Sequence, residues 1–177
     1  MIRECISPYI EQIGGFSCQR LWHEKRPCGY RLVPAGDLKL DALYSPKLGG
    51  VFAGHIGDVS LKDPSVFETL GEDLLSSAAG KPLILLDEIG GSELLVPAFR
   101  TKLYQVLESS CCIGVLKRAD KAEFMSRAAG YPGEVAAYNR RLREDLVQRF
   151  DARIVAFGSG KELAARLEIK KFLERIF

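Results

Sequence analysis

The sequence is poor in the side chains from which many catalytic and metal sites are built. Among its 177 residues there are two histidines, His23 and His55, and five cysteines. Zinc requires about four ligands, usually in closely spaced Cys or His pairs, and no such pair occurs here. Both histidines fall in loop-like sequence, so a Ser-His-Asp triad has no support. The odd and low cysteine count does not suggest a disulfide scaffold, and we expect reduced thiols and a cytoplasmic protein.

Long apolar runs and an excess of one charge are also missing. No apolar run approaches about 20 residues, the length that crosses a bilayer, and the N-terminus lacks a signal-peptide layout. The formal net charge of +2 and the lack of an aromatic and basic platform argue against nucleic acid or a membrane as partner. Composition and length are those of an ordinary globular chain, and we expect one domain over residues 1–177.

The most informative stretch is the apolar run at residues 83–86, which ends in Asp87 and Glu88. Four consecutive apolar residues predict a strand buried on both faces of a parallel sheet. Ligands bind at the carboxyl ends of such strands. Nucleoside-triphosphate hydrolases place there an Asp that holds Mg²⁺ and a Glu that polarises the attacking water. We therefore predict a metal-side role for Asp87 and a catalytic role for Glu88, the alternative being a strand whose last residues are only solvated.

The rest of the chain predicts alternating helices and strands. Helical spacing of apolar residues occurs over 2–12, 64–79, 96–108, 119–129, 134–149 and 161–176. Strand patterns occur over 13–18, 29–33, 38–44, 111–116 and 153–157, while 45–62 has the glycine and proline content of a loop. This alternation predicts a three-layer α/β fold with a mostly parallel sheet, a small β-meander at 13–44, and C-terminal helices with a last strand over 119–177.

Several pieces of the chain resemble one family, the small P-loop nucleoside-triphosphatases of the thermophilic and cancer-related type. The pieces are Gly14-Gly15-Phe16, Gly29-Tyr30-Arg31-Leu32, residues 59–70, Leu85-Leu86-Asp87-Glu88-Ile89-Gly90 with Glu93-Leu94 and Phe99, Ile113-Gly114, and Asn139-Arg140 with Leu142. The resemblance covers roughly residues 2–118 and 139–146, and the acidic segment at 85–90 is its most specific part. It implies a P-loop NTPase-like fold and slow, Mg²⁺-dependent hydrolysis of ATP, GTP and other nucleoside triphosphates.

The chain departs from this family at the phosphate-binding loop. Members carry a first strand and Gly-x-x-x-x-Gly-Lys-[Ser/Thr] before the helix that leads into Gly-Gly-Phe, whereas only thirteen residues precede Gly14 here. The Gly-Lys at 160–161 is no substitute, because Val155 and Glu162 stand where the first glycine and the hydroxyl should be. Unmatched phosphate charges cost about 3–9 kcal/mol for two or three contacts. We expect an N-terminally truncated or inactive hydrolase, the alternative being an NTPase-like binding or regulatory module.

Four basic residues are candidates to contact a phosphate. Lys117 and Arg118 follow the predicted strand at 111–116, and Arg20 and Arg26 fall near basic positions of the family. Cations there would stabilise a bound triphosphate. The alternative for all four is a solvated surface. The missing first strand also predicts an open sheet edge, through which a homo-oligomer can form.

Overall fold

A seven-stranded mixed sheet forms the centre of the computed structural model, which describes residues 1–128, 133–158 and 160–177. The strands are β1 (Ile13–His23), β2 (Arg26–Pro34), β3 (Asp41–Leu43), β4 (Val51–Ile56), β5 (Val59–Lys62), β6 (Leu83–Ile89) and β7 (Cys112–Leu116). The helices are α1 (Ile2–Ile6), α2 (Glu72–Ser77), α3 (Pro97–Ser109), α4 (Ala119–Ala128), α5 (Glu134–Gln148) and α6 (Glu162–Leu173). Ser7–Gln12 and Ser92–Leu95 form 3₁₀ segments, and Phe67–Gly71 forms a π-helical turn.

The strand order is β5-β4-β2-β1-β6-β7, with β3 paired to β1. β6 pairs in parallel with β1 on one side, where Leu86 lies opposite Phe16, and with β7 on the other. The pairs β1/β2, β2/β4 and β4/β5 are antiparallel. The predicted α/β class is confirmed, but the sheet is mixed rather than mostly parallel. The reason is local: Glu24 and Lys25 both have positive φ, and such a two-residue turn joins only antiparallel strands.

Helices cover both faces of the parallel part of the sheet. On one face Phe16 and Leu86 pack with Phe99 of α3 and Leu142 of α5. On the other face the alternate residues of β6 pack with α1 and α6. The prediction that the run at 83–86 is buried on both faces is confirmed, since these four side chains are almost fully buried. The carboxyl end of β6 therefore emerges from the centre of the core.

The predicted loop at 45–62 was wrong, because most of it forms the β4–β5 hairpin. Its glycines serve strand pairing as well as turns. Gly54 lies opposite Gly29 of β2, and a Cβ at Gly54 would stand 2.4 Å from the Cys28 carbonyl oxygen. Gly57, with φ of +57°, makes the turn. The glycines are needed here because two strand backbones approach closely. Glycine content is high both at such sites and in loops, so composition alone does not distinguish them.

The predicted strand at 153–157 was also wrong. These residues have no regular structure, and Ile154, Val155 and Phe157 are exposed. A strand requires a neighbour, and the outer side of β7 pairs with no strand in the part of the chain that the structure describes. For the same reason β7 is half-exposed rather than buried as predicted. Residues 153–157 are mostly apolar, but they pair with no described strand and so form none.

The predicted helices formed, with shifted ends. The helix expected at 2–12 changes to 3₁₀ geometry at Ser7, where Pro8 occupies the first turn of the new segment. The helix expected at 119–129 is described to Ala128, and residue 129 lies outside the described residues. The strand expected at 38–44 shrinks to β3 and pairs with β1 rather than β2, so the meander is incomplete. None of the described helices is both long and apolar enough to span a bilayer.

Candidate active site

The two predicted carboxylates lie at the carboxyl end of β6, where the strand leaves the core. Asp87 is the more enclosed of the two, with 13% of its side chain exposed, whereas Glu88 is 44% exposed. Glu88 has a φ of +61°, in the left-handed region that residues with a Cβ rarely adopt. Such a conformation costs about 1–3 kcal/mol and persists only where the surroundings enforce it. The chain therefore turns abruptly at Glu88, immediately after Asp87.

Asp87 is bonded to a residue that the sequence did not suggest, Arg3 of α1. Arg3 Nη2 donates to Asp87 Oδ2 at 2.8 Å and to the Cys18 carbonyl at 2.6 Å. Arg3 Nη1 donates to the Lys39 carbonyl at 2.8 Å. The Cys18 N–H also donates to Asp87 Oδ2, at 3.1 Å. Arg3 Nη1 also donates to the Leu38 carbonyl at 3.4 Å, so the guanidinium that pairs with Asp87 is anchored by three backbone carbonyls.

Lys117, just beyond β7, lies beside Glu88. Its Nζ donates to the Glu88 carbonyl and lies 3.8 Å from Glu88 Oε2. Burial by itself lowers the pKa of Lys117, but the carboxylates of Glu93, Glu88 and Asp87 outweigh it and leave the pKa above its ordinary value. Lys117 is therefore a cation throughout the physiological range. Cys18 differs, since burial raises the pKa of its thiol well beyond that range and keeps it neutral.

The turn that follows Glu88 is held by two buried polar side chains. Glu93 Oε1 accepts hydrogen bonds from the Gly90 N–H at 2.5 Å and the Gly91 N–H at 2.7 Å. Asn139 of α5 donates from Nδ2 to the Gly90 carbonyl at 2.7 Å and to the Lys117 carbonyl at 3.2 Å. Its Oδ1 accepts from Arg143 Nε at 3.0 Å. These bonds connect the ends of β6 and β7 through one helix.

None of the other three predicted cations forms an ion pair with Asp87 or Glu88 in the part of the chain that the structure describes. Arg118 is exposed and donates from Nε to Asp120 Oδ1 at 2.9 Å. Arg20 lies on β1 opposite Tyr30, and Arg26 lies opposite His23 at the end of the β1–β2 hairpin. Since Phe16 is level with Leu86, the strand rise places the backbone of Arg20 about 10 Å and that of Arg26 about 20 Å from the level of Asp87.

The sequence predicted that Asp87, Glu88 and Lys117 lie close together, but it did not predict the four residues that hold them, which are Arg3, Glu93, Asn139 and Arg143. Arg3 carried no signal, because one cation in an amphipathic helix is most simply a solvated residue. Arg143 had none either. Asn139 and Glu93 stood within the family resemblance, yet nothing in the pattern indicated that they contact the same turn. Such pairings are long-range, and single-sequence periodicity reports only local structure.

A Mg²⁺ ion does not fit the carboxylates as they are arranged. Mg²⁺ requires near-octahedral oxygen coordination, usually one or two carboxylates with waters and substrate phosphates. Asp87 Oδ2 already accepts from Arg3 and from the Cys18 amide. Within residues 1–128, 133–158 and 160–177 no group of three or more His, Cys, Asp or Glu side chains can hold a metal. The Arg3 guanidinium already pairs with Asp87 and would oppose a second cation beside it, and we assign no chemical step to the ion.

Comparison with known proteins gave one finding. A family model described as NTPase matches residues 3–150. No curated protein and no solved structure matches the chain. The matched range contains every residue assigned to the site above, from Arg3 through Asp87, Glu88 and Lys117 to Arg143.

Proposed function

Since the chain belongs to this NTPase family, we propose that the carboxyl end of β6 is organised to hydrolyse nucleoside triphosphates. The proposal rests on Glu88, a carboxylate that leaves the core strand through a left-handed turn and is partly open to solvent beside a cation. In this role Glu88 polarises the water that attacks the γ-phosphate. Lys117 lies close enough to Glu88 to oppose the negative charge of the transferring phosphoryl group.

Triphosphate binding needs more than these two side chains. The 177 residues contain no Gly-x-x-x-x-Gly-Lys-[Ser/Thr] loop, whose amides and lysine would supply most of the phosphate contacts. We propose that this chain alone binds Mg·NTP weakly and turns it over poorly, and that efficient hydrolysis requires a phosphate-binding loop that these 177 residues do not contain. Asp87 belongs to the proposal as the metal-side carboxylate, on the condition that Arg3 is displaced. Of the four candidate cations, Lys117 is the one whose position supports a phosphate contact.

A second candidate is a binding or regulatory module that uses the same scaffold without turnover. The Arg3–Asp87 contact favours it, because a carboxylate that already has a guanidinium partner is poorly available to a metal. Both candidates keep the family's fold and differ only in whether the β6 carboxylates perform chemistry.

Phosphate release from Mg·ATP and Mg·GTP distinguishes the two candidates. It should be measured for this chain and for a version extended by the sequence encoded upstream of Met1. We expect the extended protein to be active and Glu88→Gln to lower kcat by about 100-fold or more, the range of a lost general base. Glu144→Gln, at an exposed glutamate of α5, is the matched control and should retain activity.

Two results would overturn the hydrolase proposal. One is an extended protein that releases no phosphate from either nucleotide. The other is a Glu88→Gln variant as active as Glu144→Gln. Mg·ATP binding by an extended protein that releases no phosphate would instead establish the binding module.

A further inference from the structure

We propose that Glu93 and Asn139 are positioning residues that keep Glu88 in its left-handed conformation by hydrogen-bonding the Gly90 peptide groups. The structural part of this inference stands by itself, and only its effect on turnover rests on the proposed function. The segment concerned, residues 88–91, is called the Gly90 turn below.

The Gly90 turn is fixed from two directions by different elements. Glu93, in the 3₁₀ segment after the turn, accepts from the amides of Gly90 and Gly91 through one carboxylate oxygen. Asn139, on α5, donates to the carbonyl of the same Gly90. Glu93 is 4% exposed and Asn139 is 1% exposed, so water cannot readily replace either partner. Removing either side chain leaves buried backbone groups without a hydrogen-bond partner, and this raises the free energy of the turn conformation.

Glycine at position 90 is required by the approach of Asn139. Gly90 has a φ of +97°, and a Cβ there would lie 2.5 Å from Asn139 Nδ2 and 3.1 Å from Leu116 Cδ1. Glu88, two residues earlier, shares the positive φ but carries a full side chain. For glutamate the left-handed backbone conformation is intrinsically unfavourable, so it must be stabilised by contacts with other residues. The bonds to Gly90 and Gly91 therefore add to the Lys117 bond on the Glu88 carbonyl in holding Glu88 at the bend.

The same asparagine also fixes the cation beside Glu88. Asn139 Nδ2 donates to the Lys117 carbonyl, and Arg143 Nη2 donates to that carbonyl as well. Arg143 Nε in turn donates to Asn139 Oδ1, which sets the orientation of the amide. One side chain of α5 thus bonds the backbone at the ends of both β6 and β7. The separation between Glu88 and Lys117 is consequently set by α5 rather than by the two strands alone.

Isotope-labelled protein of the full 177 residues provides the direct test. The backbone carbon shifts of Glu88 report its φ, and amide hydrogen exchange reports the bonds at Gly90 and Gly91. Glu93→Leu and Asn139→Leu remove the polar atoms at similar volume, whereas Glu93→Gln keeps an oxygen acceptor. Arg140→Gln, at the exposed neighbour of Asn139, is the control.

We expect both leucine variants to lose the left-handed signature of Glu88 and to exchange the Gly90 and Gly91 amides about tenfold faster or more. Glu93→Gln and Arg140→Gln should keep the signature. If a leucine variant does not fold by circular dichroism, Arg143→Gln removes the bonds that orient Asn139 and should also speed the exchange of these amides. Unchanged Glu88 shifts in the folded variants would overturn the inference.

The effect on turnover is measured on the upstream-extended protein. We expect Asn139→Leu to lower kcat by about tenfold or more with little change in KM, since a displaced base affects chemistry more than binding. Glu93→Gln should recover most of the activity that Glu93→Leu loses. If Glu88 moves in the spectra and kcat does not change, the positioning role in turnover is wrong. If the extended protein is inert, the proposed function fails and the spectra still decide the structural part.

Discussion

Arg3 Nη2 and Asp87 Oδ2 lie 2.8 Å apart, although the two residues are 84 positions apart in sequence. Both side chains are largely enclosed, with 12% and 13% exposed. An ion pair in such surroundings is held far more firmly than one on the surface, because removing one partner leaves a poorly solvated charge. The carboxylate predicted to serve a metal is therefore neutralised by the chain itself. We expect a divalent cation that binds Asp87 to compete with the positive charge of Arg3.

This competition predicts two effects of Arg3→Met. The variant is less stable without a divalent cation, and a divalent cation stabilises it against unfolding more than it stabilises the parent chain. Asp87 loses its counter-ion, so we expect the free energy of unfolding to fall by about 3 kcal/mol, the cost of breaking an enclosed ion pair. Mg²⁺ or Mn²⁺ can then take the vacated position. Urea unfolding with and without each cation measures both effects, and the stabilisation by the cation should be larger in the variant.

Arg166→Met is the matched control for Arg3→Met. It breaks the exposed ion pair between Arg166 of α6 and Glu4, which lies on α1 beside Arg3. Exposed pairs contribute about 0–1 kcal/mol, so the free energy of unfolding of this variant should be close to that of the parent chain. The cation should stabilise it no more than it stabilises the parent. Equal cation responses in the two variants would show that Arg3 does not occlude Asp87.

A second prediction concerns Ser17, which lies on β1 next to β6. Its side chain is fully buried, and its Oγ has no hydrogen-bond partner among the residues that the structure describes. A buried hydroxyl without a partner costs free energy that an alanine does not. We expect Ser17→Ala to raise the free energy of unfolding by about 1 kcal/mol in urea.

Ser77→Ala serves as the control for Ser17→Ala. Ser77 is exposed at the end of α2, and its hydroxyl donates to the Leu74 carbonyl at 3.2 Å. That variant should be neutral or slightly destabilised. A loss of stability in Ser17→Ala would mean that the hydroxyl has a partner in solution.

The third prediction is a loss of stability at high pH that depends on Tyr104. Its O–H donates to Asp145 Oδ2 at 2.8 Å, and burial together with this bond raises its pKa to about 12. An unfolded tyrosine titrates near pH 10, so between about pH 10 and 12 the unfolded chain loses a proton that the folded chain keeps. Stability should therefore fall as the pH rises through that window.

Tyr104→Phe tests this assignment. The variant lacks the titrating phenol, so its urea midpoint should depend less steeply on pH between about 10 and 12 than that of the parent chain. The tyrosinate difference spectrum between the two proteins should show one phenol ionising near 12. A difference spectrum centred near 10 would contradict the raised pKa.

The central strand was predictable from the sequence because burial on both faces requires a continuous apolar run, and a short run of this kind is typical of a core strand. Helices such as α3 were predictable for a related reason, since Phe99, Leu103 and Val106 repeat at helical spacing and all are buried. These are local patterns. The position of Asp87 and Glu88 at the end of β6 followed directly from them.

What the sequence did not reveal depends on contacts between distant parts of the chain. Arg3 reaches Asp87 only because α1 packs against the face of β6 from which Asp87 emerges. Asn139 reaches Gly90 across 49 residues. The strand predicted at 153–157 did not form, because a strand also needs a pairing partner. Propensity describes a residue and its neighbours, whereas pairing is decided by the assembled sheet.

That unpaired sheet edge gives the last prediction, self-association through β7. The Cys111 carbonyl and the Lys117 amide bond toward β6, so the peptide groups of the alternate residues of β7 face outward. No strand within the described part of the chain covers them, and Val115 is 40% exposed beside them. An edge of this kind pairs readily with another strand. We expect sedimentation equilibrium to show a concentration-dependent dimer.

Val115→Lys should shift the protein to monomer, because a charge on an edge strand opposes strand addition. The opposite edge offers the matched control, since Val59 of β5 is also exposed and β5 is a shorter strand. Val59→Lys should leave the dimer intact. A parent chain that sediments as a monomer at every concentration would refute the prediction, and dissociation by Val59→Lys alone would move the interface to β5. If β7 is the interface, β7 of a second copy pairs with the edge that no described strand of the same chain covers.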